Sequence, residues 1–228
     1  MNLQAHIIGP AGSGKTMIAK RYVQEQLARG VWVFVHDPGC QFVTSGCIAY
    51  PSFAAWQEAA RASQKGGRPL PRGASIQART PSEIVEGCRE LGERHNRSRV
   101  GRGGPPPFPM LLVIDESTLL DTSGSTWVGK SDAEVMANRR HFGIGIVMLQ
   151  QHPGQLPAPV YRQATDLILF NSSDTKSLEK IEEVCLPPKL RGALVERVPE
   201  LFWPDRDNPA EAKRPADYVH LRPGRGFV

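Results

Sequence analysis

Cysteine is scarce and scattered in this chain. Cys40, Cys47, Cys88 and Cys185 include no C-x-x-C pair and none has a histidine at ligand spacing. A disulfide framework and a zinc site are therefore both excluded as organising devices, and a reducing compartment fits best. Long apolar runs are missing too: no segment approaches the roughly 18 residues of a membrane span. The opening MNLQAHIIGP enters a strand without the basic region of a secretory leader. The chain is thus expected to be soluble and intracellular. Neither sign of charge dominates, because 28 Lys and Arg against 23 Asp and Glu leave a net charge of +5 and a pI near 9.2. That modest excess permits nucleic acid as a partner without demanding it. What the chain does have is length. Its 228 residues suffice for one large domain that buries roughly 70% of its unfolded surface.

Apolar β-type runs alternate with helical patterns throughout, which predicts an α/β fold with a mostly parallel central sheet covered by helices. LQAHIIG reads as the first strand, and residues 15–29 as a helix stopped by Gly30. VWVFV (31–35) is a second strand ending at Asp37. GCIAY, a helix around FAAWQEAARA, and ASIQA (74–78) follow. T-P-S-E then reads as a helix start, with Thr80 as cap, Pro81 at the first helical position and Glu83 closing the box; Ile84, Cys88 and Leu91 line one face of that helix. MLLVID (110–115) is apolar enough for a central strand buried on both faces. GIVML, DLILF, a helix between Asp174 and Cys185, and a final strand near YVHL complete the pattern. QKGGRPLPRG (64–73) and NRSRVGRGGPPPFP (96–109) read as loose segments, and the Pro-rich tail from Pro187 as a wrap over the surface of a single domain.

GPAGSGKT (9–16) matches G-x-x-x-x-G-K-[ST] and falls between a predicted strand and a predicted helix. Gly9, Pro10, Ala11, Gly12, Ser13 and Gly14 supply a backbone whose N–H groups cradle phosphate oxygens. Lys15 reaches the β and γ phosphates, the Thr16 hydroxyl ligates magnesium, and Met17 follows in the first helical turn. Such a triphosphate site needs a carboxylate at the end of a neighbouring strand. Asp115 supplies it after a buried apolar run, and Glu116 comes next. The pair suits ATP hydrolysis, with Asp115 holding magnesium through water and Glu116 polarising the attacking water. A GTPase is disfavoured: TKSL (175–178) lacks the Asp of a guanine-reading motif, and DTSG (121–124) is too short to weigh. No LSGGQ-like transporter signature occurs. A small-molecule kinase has less need of an adjacent Asp-Glu.

The stretch NRRHFGIGIVMLQQHP (138–153) brackets an apolar strand with arginines and glutamines. Ser131 and Glu134 form a capping box, so a helix is expected to run through Val135, Met136 and Phe142. That puts Arg139, Arg140 and His141 in its last turn, against the negative end of the helix dipole. The glutamines need a different account. In a parallel sheet the functional edge is the carboxyl end of the strands, which brings Gln151 out beside Asp115, near the γ phosphate. With GPAGSGKT, the strand ending HDPG, VIDE and RRHFGIGIVMLQQHP in this order, the chain resembles the FtsK/HerA superfamily of DNA-pumping P-loop ATPases. It is most similar to the small genome-packaging ATPases of tailless double-stranded DNA viruses with internal membranes. The likeness covers about residues 3–170, with an echo in YVHLRPG.

That resemblance implies a RecA-like (ASCE) P-loop core, ATP and Mg²⁺ as ligands, double-stranded DNA as partner, and assembly as a homo-oligomeric ring, expected to be a hexamer. It implies Gln151 as the sensor and Arg140 as the finger reaching a neighbouring subunit's nucleotide, with Arg139 as second candidate and the dipole reading still open for both. Asp37 is left between ribose contact, sheet edge and a plain turn. The chain shows no membrane anchor, no winged helix and little room for an amino-terminal barrel. The packaging branch therefore fits best, at the capsid vertex of the virion or in the host cytoplasm, with capsid or membrane proteins as further partners. A conjugation or secretion ATPase at a membrane and a nucleotide-gated assembly factor are the alternatives. A motor that steps along any sequence grips phosphates. Arg94, Arg97, Arg99 and Arg102 in one loose segment, and Lys65, Arg68 and Arg72 in the other, are its candidate contacts. His6, His95, His141 and His152 read as structural or exposed, and Trp56, Trp127 and Trp203 as core or interface residues.

Overall fold

The computed structural model describes residues 3–97, 102, 104–115, 135, 138–152, 161–202, 216–223 and 226–227. The chain forms two compact units: Ala19–Val147 with Met1–Asn2, and Leu3–Ile18 with Met148–Val228. Two elements are shared between them. Helix α1 (Lys15–Ala28) begins in the second unit and continues in the first. Strand β6 (Ile144–Gln150) begins in the first and ends in the second.

In the first unit the strands are β2 (Trp32–His36), β3 (Ile48–Tyr50), β4 (Gly73–Ile76) and β5 (Met110–Ile114), arranged β3-β4-β2-β5 with the start of β6 next to β5. β3 with β4, β4 with β2, and β2 with β5 all pair in parallel. Parallel neighbours require crossovers, which α2 (Phe53–Lys65) and α3 (Ser82–His95) provide. Every residue of β2 and β5 is buried, as their unbroken apolar runs dictate. Ile84, Cys88 and Leu91 do face the core of this unit.

The helix starts differ from the sequence reading in an instructive way. α3 begins one residue later than expected, Pro81 is its cap, and no side chain caps it. Glu83 does not close a box with Thr80; its Oε1 accepts the backbone N–H of Phe53 at 2.7 Å. A first-turn donor of α2 is thereby satisfied from another helix, next to Ser52, whose Oγ accepts from Ala55 N. The capping box expected at Ser131 and Glu134 lies outside the described residues, while residues 138–142 are helical as expected.

The second unit contains β1 (Gln4–Ile8), β7 (Asp166–Phe170), α4 (Thr175–Cys185), α5 (Ala193–Arg197), β8 (Tyr218–Arg222) and β9 (Gly226–Phe227). Its strand order is β6-β1-β7-β8-β9. β1 and β7 are parallel; β8 is antiparallel to β7 and β9 to β8. The tail therefore does more than wrap a surface, because it extends the sheet. Buried Glu182 helps to order that tail: its carboxylate accepts the N–H groups of Gly192, Leu194 and Val195 at the start of α5. The architecture is α/β with mostly parallel strands.

Candidate nucleotide site

β1 is buried throughout and hands the chain to the glycine-rich loop. Gly9 sits where a Cβ would come within 2.6 Å of the Phe170 Cβ, so only glycine lets the loop leave the sheet this close to β7. Gly12 and Gly14 have φ of 78° and 97°, the left-handed region that a side chain disfavours. They curl the backbone into the start of α1, where Ile18 N donates to Gly14 O at 3.1 Å. The start of a 14-residue helix thus brings its N–H groups and the positive end of its dipole to the loop.

Two buried polar groups point to an anionic occupant of this loop. Lys15 is 8% exposed, and its ammonium donates to Gly9 O at 2.6 Å and to Pro10 O at 2.7 Å, folded back on the loop's own carbonyls. The Ser13 hydroxyl is buried and makes no hydrogen bond among the described residues. Such a group needs a partner, and phosphate oxygens suit it. Pro10 and Thr16 are half-buried, whereas Ala11 and Met17 stand toward solvent.

β6 holds this loop from the other side. Gly9 N donates to the Gln150 carbonyl at 3.0 Å. The two glutamines have separate destinies. Gln150 is fully buried; its Nε2 lies 3.2 Å from His6 Nδ1, and its Oε1 accepts from the Tyr161 hydroxyl at 3.1 Å. His6 Nε2 in turn lies 3.2 Å from Gln4 Nε2. A neutral imidazole has one donor and one acceptor, so one of the two amides presents its oxygen to it. The sequence reading leaves His6 between structural and exposed and misses the network it anchors. The available signal was a Gln and a His two apart in a strand otherwise wholly apolar. Gln151 follows as a half-exposed residue, one step beyond the carbonyl that holds the loop.

In the first unit, β2 and β5 end side by side. Asp115 is 4% exposed; its N–H donates to His36 O at 3.2 Å, and His36 Nδ1 lies 3.3 Å from the Asp115 carbonyl. His36 Nε2 reaches Ala78 O at 3.1 Å. Burial lowers the His36 pKa from its ordinary value, against the opposing pull of those two carbonyls and of Asp37. Asp37, open between three readings in the sequence, is a turn residue. Its fully buried carboxylate accepts Gln41 N and Phe42 N, both at 2.8 Å, and the Ser75 hydroxyl at 2.7 Å. Glu116 lies outside the described residues.

The paired arginines also separate. Arg139 is 1% exposed, and burial, with the Arg140 charge beside it, lowers its pKa to about 10. Arg140 is exposed. Of the two, Arg140 is the side chain that can reach a neighbouring molecule without unpacking its own unit. Of the basic loops, Lys65, Arg68, Arg72, Arg94, Arg97 and Arg102 are exposed, and Arg99 lies outside the described residues.

No protein-family model matches the chain, and no curated protein matches its sequence. Solved structures do match. The genome packaging NTPase of Sulfolobus turreted icosahedral virus 2, in complex with ATPγS, aligns with a TM-score of 0.67 at 13% identity, over 99% of this chain and 94% of that one. The DNA-packaging ATPase of Sulfolobus turreted icosahedral virus aligns with a TM-score of 0.63 at 16% identity, over 99% and 96%. The pCW3 conjugation coupling protein TcpA, in its monomer form with ATPγS, aligns with a TM-score of 0.55 at 15% identity, over all of this chain and 59% of that one. At such identities the likeness is one of fold: the chain has the α/β architecture, with a mostly parallel sheet, of these packaging and conjugation proteins.

Proposed function

We propose that this chain is a magnesium-dependent ATPase that moves double-stranded DNA, and that it serves as the genome-packaging motor of a virus. The observation that carries the reading is the loop after β1. It combines a buried lysine ammonium, a buried serine hydroxyl and two left-handed glycines at the start of a long helix. The fold likeness to packaging NTPases solved with ATP analogues supports it.

In this reading the backbone of residues 9–14 and Lys15 hold the triphosphate, Lys15 turning from the Gly9 and Pro10 carbonyls to the β and γ phosphates. The Thr16 hydroxyl and the Asp115 carboxylate are hard oxygen donors that fit Mg²⁺, an ion that keeps waters and phosphate oxygens as its other ligands. Bound there, Mg²⁺ would neutralise charge that develops on the phosphates. Glu116 polarises the attacking water, Gln151 responds to the presence of the γ phosphate, and Arg140 completes the site of the next subunit in a ring, with six copies expected. The reading assigns Arg139 to the packing of its own unit. DNA, gripped by its phosphates, and a capsid vertex or membrane protein are the proposed partners, in the host cytoplasm or in the virion.

The test is ATP turnover with and without duplex DNA over a range of salt. A motor is stimulated by DNA and loses that stimulation steeply as salt rises, and Lys15→Ala lowers both rates by about 10²–10³-fold. A basal rate indifferent to DNA would favour the nucleotide-gated assembly factor instead. The likeness to a conjugation coupling protein favours a second reading, DNA transfer at a membrane. Recruitment of the purified chain to empty capsids, and not to vesicles, separates the two.

A further inference from the structure

The first unit contains a cavity that the nucleotide reading does not use. It encloses about 210 Å³ at the amino-terminal ends of β2 and β5, where Trp32 opens β2 and Phe108 precedes β5. His36 and Asp115 lie at the other ends of those strands, about 13 Å away at the usual strand rise. The floor is aromatic and fixed. Trp32 stacks on Phe108 at 4.4 Å, and Trp56 meets Trp32 edge-on at 6.1 Å. Trp56 Nε1 donates to Pro71 O at 3.2 Å. The Phe108 backbone is held at both its polar groups by buried Asn96, whose Nδ2 donates to Phe108 O at 2.7 Å and whose Oδ1 accepts Phe108 N at 2.8 Å. Ala60, Leu70 and Leu91 add apolar wall.

The mouth is positive. Arg61 from α2 and Arg94 from the last turn of α3 line it, no carboxylate does, and neither arginine makes an ion pair among the described residues. Glu58 and Glu90, the acids one helical turn before Arg61 and Arg94, are exposed and form no ion pair with them among the described residues, and Glu93 is taken by Arg89 at 2.8 Å and Arg97 at 3.8 Å. Leu70 and Phe108 line the same cavity, so the two loose segments of the sequence, 64–73 and 96–109, converge here.

Size and lining together select the occupant. The volume falls below the roughly 300–1,000 Å³ of small-molecule sites but suits one bulky side chain, the usual anchor of a protein interface. Duplex DNA presents phosphates to arginines and has no free apolar group to fill such a cavity. We propose that this cavity is a docking site for a short acidic segment of a partner protein, which inserts one large apolar side chain between the aromatic floor and Leu70 while its carboxylates meet Arg61 and Arg94. The assignment stands whether or not the chain hydrolyses ATP.

The test pans a random peptide library displayed on phage against the wild-type protein, with depletion on the Arg61→Glu/Arg94→Glu double variant. Sequences with one Trp, Phe, Leu or Met beside two or more Asp or Glu are expected to emerge. A labelled synthetic peptide of that pattern should bind wild type about tenfold or more tightly than the double variant, and likewise than Ala60→Phe, which fills the cavity and keeps the charge. Unchanged thermal melts of the variants show that folding is not what is lost; if the double variant melts early, Arg61→Gln/Arg94→Gln replaces it. An enriched pattern without acids, no enrichment at all, or equal affinity for all variants overturns the proposal. So does a labelled duplex of about 20 base pairs that loses affinity with the double variant when no peptide does, which would make the patch a nucleic-acid contact.

Discussion

Strands β1 and β2 are equally buried, and each ends in a short motif containing glycine and one charged residue, yet the two ends behave in opposite ways. After β1, Lys15 folds back on carbonyls of its own loop, and the Ser13 hydroxyl makes no hydrogen bond among the described residues. After β2, both oxygens of the Asp37 carboxylate are engaged: two backbone N–H groups and the Ser75 hydroxyl donate to them at 2.7–2.8 Å. A charged group at a strand end is therefore not itself a sign of chemistry. The difference lies in how much hydrogen-bonding capacity the fold has already consumed. The same contrast recurs between Arg140, exposed, and Arg139, enclosed.

The arginine pair gives the largest effects. Arg140→Ala should lower ATP turnover by about 10³-fold or more, within the range known for residues inserted in trans, with nucleotide affinity nearly intact. Mixing it with Lys15→Ala protein should restore part of the activity, since each variant can lend the other its intact half. Arg139→Ala should instead lower the melting temperature and soluble yield, because it empties a buried site. If Arg139→Ala folds normally and loses turnover while Arg140→Ala does not, the roles of the two are exchanged.

The strand ends come next. Lys15→Ala should cost about 10²–10³ in turnover, the magnitude typical of one lost charge-stabilising donor, with a melting point close to that of wild type. Asp37→Ala should reverse the pattern. It strands three donors in a buried turn and should cost about 3 kcal/mol, or about 6–12 °C at this chain length, while turnover per folded molecule survives. Thermal melts and a coupled ATPase assay on the same samples decide it. A stable Asp37→Ala protein with no activity would place Asp37 in the site after all.

Much of this was legible in the sequence, because the decisive signals are local. The glycine loop, its position between strand and helix, and the runs that became β2, β5 and β7 depend on spacing and apolarity within a few residues. What stayed hidden depends on partners far along the chain. Gln150 and Gln151 could not be told apart by period, since β6 is buried along its whole length and the usual alternation carries no sign. Only the meeting of Gln150 with His6, 144 residues away, marks it as scaffold. Asn96 looked like the start of a loose loop but pins Phe108 and Phe142. Glu83 looked like a local cap but serves a helix 30 residues earlier.

Thiol chemistry extends the contrast between open and consumed groups with the smallest perturbation. Cys40 is exposed beside the Asp37 turn, whereas Cys47, Cys88 and Cys185 are buried. Burial pushes the thiols of Cys47 and Cys185 up to about 12, with the Asp37 charge adding to the shift at Cys47, and it pushes Cys88 higher still. A thiol with a pKa of about 12 is ionised to about one part in 10⁴ at pH 8, and only the thiolate attacks. A maleimide at pH 8 should therefore label the native protein once, at Cys40, within minutes. The other three sites should react only after denaturation, for four labels in all by intact mass. Because Cys47 packs near Asp37, Asp37→Ala should open it first; a second native label in that variant, mapped to Cys47, is expected. If wild-type protein takes two or more labels at once, the turn is looser than its three hydrogen bonds require, and the distinction between a consumed and an open strand end fails.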